Sequence, residues 1–293
     1  MFVNRLWKQF FGVGISTVME DVGALGDWPA HPELLDWLAI EFRDSGWDVK
    51  HMVRLMVTAG AYRQSSRARP ELRDRDPSNR LVSYQLPRRL EAEFVRDSAL
   101  AVSGLLHREM GGPSARPYQP AGYYSQLQFP DRNYVPHADE RQYRRGVYTH
   151  WQRTFLHPML ANFDAPPRDE GCANRTVANT PQQALTLLND PTFVECARVL
   201  ADRLLTQPGG DRERIEWLYV QALTRPPKPA ELDTLLALLE LERKQFREVS
   251  VDAGKLLKVG NAPRQSRVEV TEHAAWTEVC RAVLNLHEFI TRY

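Results

Sequence analysis

Apolar residues recur at helical spacing along most of the chain. Val3, Leu6, Trp7, Phe10 and Phe11 form one stripe, and Gly12 is placed to end that helix. A Gly-rich connector runs to Ala30. "HPELLDWLAIEFRDSG" then predicts a second helix, with Pro32 suited to the first helical position and Gly46 to the exit. Its stripe is Leu34, Leu35, Leu38, Ala39 and Phe42. Asp48 is a cap for "VKHMVRLMVTAGAY", whose stripe is Met52, Leu55, Met56 and Ala59. "RRLEAEFVRDSALAVSGLL" predicts a longer helix, with Leu90, Phe94, Ala101 and Leu105 turned inward.

From 111 to 175 the period fades and Pro, Gly, Tyr and Arg rise. "RRGVYTHWQRT" alternates in the manner of a strand, and "HPMLANF" suits a short helix. So long an irregular stretch is uncommon in a compact domain without a use for it, so the functional surface is expected here. Helices resume at Thr180, where Thr180, Pro181 and Gln183 make a capping-box signature. Asp190-Pro191 restarts the helix, with Phe193, Ala197, Leu200 and Leu204 inward. "DRERIEWLYVQALTR" and "PAELDTLLALLELERKQF" form a helix pair, 250–270 reads as loop, and "EHAAWTEVCRAVLNLHEFI" is the last helix. The pattern predicts a mainly α, irregular multi-helical fold with a small β-containing, loop-rich insertion. Its parts are an N-terminal helical subdomain (1–110), the insertion (111–175) and a C-terminal helical subdomain (176–293), or one integrated domain.

Composition narrows the function classes. In 293 residues, 43% are hydrophobic, enough for a real core. The 38 basic residues nearly cancel the 37 acidic ones, which argues against a dedicated nucleic-acid binder. No apolar run reaches the length of a membrane span. The start, "MFVNRLWKQFFGVGI", is not a signal peptide, so the chain taken literally is cytoplasmic. It opens abruptly inside an amphipathic helix, as a fragment would. Cys172, Cys196 and Cys280 include no CxxC pair, so no haem attachment and no zinc ribbon are present in this chain. Cys196 and Cys280 fall in apolar helical patterns and read as core, while Cys172 lies in a loop.

Four groups of residues carry candidate chemistry. Arg168, Asp169, Glu170, Cys172, Asn174 and Arg175 precede the helix capped by Thr180. Free N–H groups, the helix dipole and the two arginines favour an anion such as sulfate or carboxylate there. The plainer alternative is that Thr180 and Gln183 satisfy those N–H groups while Arg175 pairs with Asp169 or Glu170. In "YTHWQRTFLHP", a strand would put Tyr148, His150 and Gln152 on one face and Trp151 and Arg153 on the other, either able to line a sugar groove. His137, His150 and His157 are too far apart for a metal motif. Glu91, Glu93 and Asp97 are candidate acid/base carboxylates, though each has an Arg within helical reach, which favours an ion-pair network. Tyr118, Tyr123, Tyr124, Phe129 and Tyr134 can stack on sugar rings or a partner.

Several stretches together resemble one family: "VNRLWKQFFGVGI", "HPELLDWLAIEF", "TAGAYRQSS", "RRLEAEFVRDSALAVSG", "YRRGVYTHWQRT", "FDAPPRDEGCANRTVANTPQQALTLLNDP" and "LLKVGNAPRQ…AAWTEVCRAVLNLHEFIT". Their order is similar to the planctomycete-type C-terminal module called domain of unknown function 1553. The resemblance implies an exported parent, hence a periplasmic or extracellular location. It also implies an upstream unknown-function domain, a separate cytochrome-c-like domain that carries haem c, and a sulfatase-like partner protein or a polysaccharide. No cofactor is expected in this chain itself, and no reaction carries over. Where the family commonly has an acidic residue in an "NLDE"-like run, this chain has His287. The leading expectation is a non-catalytic binding or interaction module for polysaccharide handling. Arg175, Arg168, His150, Arg153, Trp151 and Tyr148 are its candidate contacts. The alternatives are an enzyme acting on a (sulfated) polysaccharide through an Arg/His site, and a structural buttress for an upstream domain.

Overall fold

A computed structural model describes residues 1–293 except 22, 24, 127–132, 153, 154, 169, 249 and 266. The fold is mainly α. Among the described residues there are twelve α-helices and one two-stranded antiparallel sheet, in which Arg88 pairs with Arg292 and Arg89 with Thr291. The chain divides into two compact units, one built mostly from residues 1–89 and the other from 90–171 and 175–290.

The first unit contains α1 (Phe2–Phe11), α2 (Pro32–Asp44), α3 (Val49–Thr58) and the short α4 (Pro70–Arg75). The predicted stripes meet in its core: Val3, Trp7 and Phe11 pack with Leu38, Phe42, Met52 and Met56. Asp48 caps α3 by accepting from His51 N at 3.0 Å. Asn4 is buried and both donates to and accepts from the backbone of Ser16, at 2.8 and 3.1 Å, which ties the connector onto α1. Val3 is buried, and Phe10 packs against the same cluster.

The second unit is built on α8 (Pro191–Leu205) and α12 (Val270–Leu284). Cys196, Ala197, Leu200, Ala201 and Leu204 meet Ala274, Ala275, Trp276, Val279, Cys280 and Val283, all fully buried. Small alanines on both helices let the two backbones approach and leave room for the large Trp276 ring. Around this pair lie α5 (Ala92–Ser103), α6 (Pro158–Asn162), α7 (Pro181–Asn189), α9 (Asp211–Leu223), α10 (Pro229–Glu248) and α11 (Ser250–Leu256). Thr180 and Gln183 form the capping box of α7, and Asp190 caps α8 by accepting from Thr192 N at 2.9 Å.

The structure departs from the sequence expectation in three places. Residues 250–256 are helical rather than loop. "RRGVYTHWQRT" supplies no regular strand among its described residues: it holds one 3-10 turn, Gly146–Tyr148, and isolated bridges. The buried face of α5 is also rotated from the expected one. Ala92, Val95, Arg96, Ala99, Leu100 and Ser103 point inward, while Phe94 is 49% exposed. The cause is Arg96, which is fully buried and donates to the carbonyls of Arg144 and Gln142, each at 2.6 Å.

The irregular segment is tied to α8 through a second buried charge, Glu195. Its carboxylate accepts from the hydroxyls of Tyr118 and Tyr143, at 2.9 and 2.8 Å, and from Ala262 N at 2.7 Å. Burial first, and then the Glu195 charge and hydrogen bonds, hold both phenols protonated as donors. Gly260 is at positive φ, and a Cβ there would lie 2.1 Å from the Glu195 carboxyl carbon, so only glycine lets the 257–265 loop close over this group.

Trp276→Ala should lower unfolding free energy by about 3–5 kcal/mol, read as a shift of the urea midpoint at unchanged m-value. A loss below about 1 kcal/mol would show that α8 and α12 do not form the stabilising centre.

Candidate functional site

Three stretches far apart in sequence converge on one cleft in the second unit. α5 and its N-cap contribute Glu91, Glu93, Phe94 and Asp97, "YRRGVY" contributes Arg145 and Val147, and the loop before α7 contributes Arg175. Arg108 and Leu106 complete the wall, and the cavity is about 490 Å³.

Close packing of the turn against α5 depends on Gly146. A Cβ there would sit 2.9 Å from the Cα and Cβ of Glu93 and 3.1 Å from its carbonyl oxygen. With no side chain in the way, Gly146 N donates to Asp97 Oδ1 at 2.7 Å. Arg175 grips Glu93 with both terminal nitrogens, at 2.6 and 3.2 Å, and lies 3.5 Å from Glu91. The sequence offered Asp169 and Glu170 as its partners. Asp169 lies outside the described residues, and the structure pairs Arg175 with Glu93.

The two carboxyls one turn apart on α5 are shifted in opposite directions. Burial pushes the Glu93 carboxyl up, but the Arg175 hydrogen bonds and charge outweigh it and leave it below the usual carboxylate range. Burial pushes the Asp97 carboxyl above that range, and the Gly146 N–H and the Arg96 and Arg145 charges only partly offset it. Arg96 is 3.9 Å from Asp97, with its hydrogen bonds committed to two carbonyls, so it does not neutralise Asp97 as helix spacing suggested. Glu93 and Asp97 keep 11% and 17% of their side chains exposed, enough to meet a ligand in the cleft.

The other expected contacts lie elsewhere. The Arg168 guanidinium stacks 3.7 Å over the Trp151 ring, and Trp151 Nε1 donates to Pro167 O at 2.9 Å. Arg168 does not line the cleft, though its charge helps to lower Glu93. The Tyr148 hydroxyl accepts from Gly111 N at 2.7 Å, and its ring lies under the buried Arg144 at 4.0 Å. His150 donates its backbone N–H to Ala115 O at 2.6 Å, and its ring nitrogen is 3.4 Å from Ser114 Oγ. Arg153 lies outside the described residues. Of the expected contacts, the structure brings Arg175 alone into the cleft lining. His157 is buried against Tyr118 O at 2.7 Å, and burial lowers its pKa to about 4, so it stays neutral. The aromatic group serves mainly to hold the segment: Tyr118 binds Glu195, Tyr123 donates to Leu156 O and Tyr134 to Pro117 O. Phe129 is outside the described residues.

Sequence reading passed over Arg108, Arg145 and Val147, and turned Phe94 inward where the structure exposes it to the cleft. The signal for Arg145 lay within "YRRGVY", where a glycine preceded by two arginines interrupts the alternation. Glu288, beside His287 in "NLHE", pairs with Arg225 at 2.6 Å, and Arg225 also holds Glu231, so that carboxylate helps to fix the end of the chain's last helical region.

A family model described as PSD1, protein of unknown function (DUF1553), matches residues 1–239. The chain belongs to this family. No curated protein and no solved structure matches it. The DUF1553 match stops within α10, whereas α12 is central to the core of the second unit, so the compact unit extends beyond the span of the family model. Among the described residues of this DUF1553 chain, no group of three or more His, Cys, Asp or Glu is placed to hold a metal ion, and no helix is long and apolar enough to cross a membrane.

Two measurements test this geometry. Gly146→Ala should cost about 1–3 kcal/mol by forcing the turn off α5, and an unchanged melting temperature would refute the close approach. Asp97→Asn keeps an acceptor for Gly146 N and removes a charge that burial disfavours. A carboxyl with a raised folded pKa binds its proton more tightly in the native state, so stability falls as pH rises from about 4, the unfolded value, through the folded one. Asp97→Asn should therefore melt at or above the wild-type temperature at pH 7, with the difference shrinking below pH 4. A lower melting temperature at pH 7 would contradict this assignment.

Proposed function

We propose that this chain binds a polysaccharide along the α5 cleft, as the C-terminal part of an exported, cytochrome-c-linked multidomain protein. The observation that carries the reading is Phe94, a large ring half exposed in a cleft lined by Arg108, Arg145, Arg175, Glu91 and Asp97. A sugar ring presents an apolar face and a rim of hydroxyls. An exposed aromatic ring among planar charged groups complements both, and a cavity of this size takes a few such units. Val147 is also exposed and extends the apolar floor. No ion pair among the described residues holds Arg108 or Arg145, which leaves their donors for a ligand. The Trp151–Arg168 stack supplies a second planar surface on the same irregular segment.

The wider setting rests on the layout implied by the family's motifs. Haem c belongs to a separate upstream domain, the location is periplasmic or extracellular, and a sulfatase-like protein is a partner in handling the polymer.

The test is a thermal-shift and calorimetric titration of the purified chain with laminarin, xylan, alginate and chondroitin sulfate at two salt concentrations. One polymer class should stabilise the chain saturably, and Phe94→Ala should weaken that binding tenfold or more while melting cooperatively. If no polymer shifts a cooperatively melting chain, or if Phe94→Ala binds as wild type does, the cleft is not a polysaccharide site.

A further inference from the structure

A second cavity, of about 280 Å³, lies wholly within the first unit. α1 supplies one wall, where the rings of Trp7 and Phe11 are stacked with centroids 3.8 Å apart and planes 16° apart. The connector supplies a second through Val13, Ile15, Ala30 and His31. Residues 78–86 supply a third through Arg80, Val82 and Leu86. An apolar cavity of about 150 Å³ holds one benzene molecule. This space therefore takes a single ring with a short substituent and is too small for a long acyl chain.

The third wall is held in a strained shape. Val82 sits at φ 52°, in the left-handed region that a β-branched residue seldom adopts. Two buried polar side chains fix the loop around it. Asp76 accepts from Arg80 N at 2.8 Å and from Leu81 N at 2.7 Å. Asn79, itself at φ 48°, accepts from Ser83 N at 2.9 Å and donates to Tyr84 O at 2.7 Å. Strain of this kind persists where the surroundings over-determine it, and it collects at ligand clamps. The same loop is fastened to the connector. His31 Nε2 donates to Arg80 O at 2.9 Å, and Arg80 Nη2 donates to Trp28 O at 3.5 Å. The Arg80 guanidinium is thereby placed where the second and third walls meet.

Charge at the cavity has one sign. Arg80 is exposed, and no ion pair among the described residues holds it. Its one long hydrogen bond leaves most of its five donors available. No Asp or Glu lines the cavity among the described residues. Asp76, in the same loop, has an oxygen on each of two backbone N–H groups, and Asp27 accepts from Thr17 Oγ1. Stacked rings on one wall favour a flat aromatic guest. An unpaired guanidinium at the edge matches a carboxylate in charge and in fork geometry.

We propose that this cavity binds a small aromatic carboxylate, its ring against Trp7 and Phe11 and its carboxylate on the Arg80 guanidinium. The site does not rest on the polysaccharide reading.

The experiment titrates the full chain by calorimetry with benzoate, 4-hydroxybenzoate and cinnamate, beside the neutral benzamide and cinnamamide. NMR follows the indole N–H of Trp7, its signal assigned with Trp7→Phe. At least one acid should bind with Kd below about 1 mM, within reach of about nine heavy atoms, and should move the Trp7 signal. Its amide should bind about tenfold more weakly or less. Arg80→Gln should weaken the acid about tenfold or more and leave the amide unchanged. Ala30→Leu, which narrows the cavity, should lose acid and amide alike while melting cooperatively. Should Ala30→Leu not fold, the Arg80→Gln and Trp7 readouts decide alone. Equal affinity for acid and amide, or undiminished acid binding by Arg80→Gln, overturns the choice of a carboxylate. An unmoved Trp7 signal at saturation, undiminished binding by folded Ala30→Leu, or no binding of any acid overturns the site itself. The polysaccharide titration reads a different cavity, so either result stands whatever the other shows.

Discussion

The second unit depends on charged side chains taken out of water. Arg96 and Glu195 are both buried, and an unpaired ion in that setting would cost several kcal/mol. The irregular segment supplies the partners of Arg96, and it shares those of Glu195 with Ala262 N and the buried Arg198, 3.7 Å away on α8. The carbonyls of Gln142 and Arg144 go to Arg96, and the hydroxyls of Tyr118 and Tyr143 go to Glu195. The dependence is mutual. A segment with little regular hydrogen bonding gains two fixed points, and two helices gain hydrogen-bonding partners for their buried charges. The cleft is a product of this arrangement, because Arg96 sets the rotation of α5 that turns Phe94 outward and aligns Glu93 and Asp97.

Local signals were largely legible in the sequence. Asp48 and Asp190 cap the helices they were expected to cap, Thr180 and Gln183 form their box, and Cys196 and Cys280 lie in the core. These features involve residues within a few positions of one another, where spacing determines geometry. The face of α5 was misread because hydropathy ranks Phe94 above Arg96 for burial, and only the distant carbonyls of Gln142 and Arg144 reverse that order. Residues 250–256 read as loop because so short a helix has little stripe of its own and is helical beside α10 and α12.

The cleft was legible only in pieces. Glu91, Glu93, Asp97 and Arg175 each stood out, but in two separate groups. Nothing in local pattern joins a loop near 175 to a helix near 93, or predicts that Gly146 is the contact that brings Arg145 beside them. His150 and Arg168 attracted attention by residue type, and their neighbours in the fold are Ser114 and Trp151. For a site assembled from three segments, composition identifies candidates, and contact decides which of them meet.

The pairing of α8 with α12 also constrains how the chain comes into being. Roughly 80 residues separate the ends of these helices, and a ribosome adding about 5–20 residues per second needs on the order of 4–16 s to make them. During that interval Cys196, Ala197, Leu200, Ala201 and Leu204 have emerged without their covering helix. The apolar face at the centre of the finished unit is therefore, for several seconds, the surface of the nascent chain most in need of shelter from other chains.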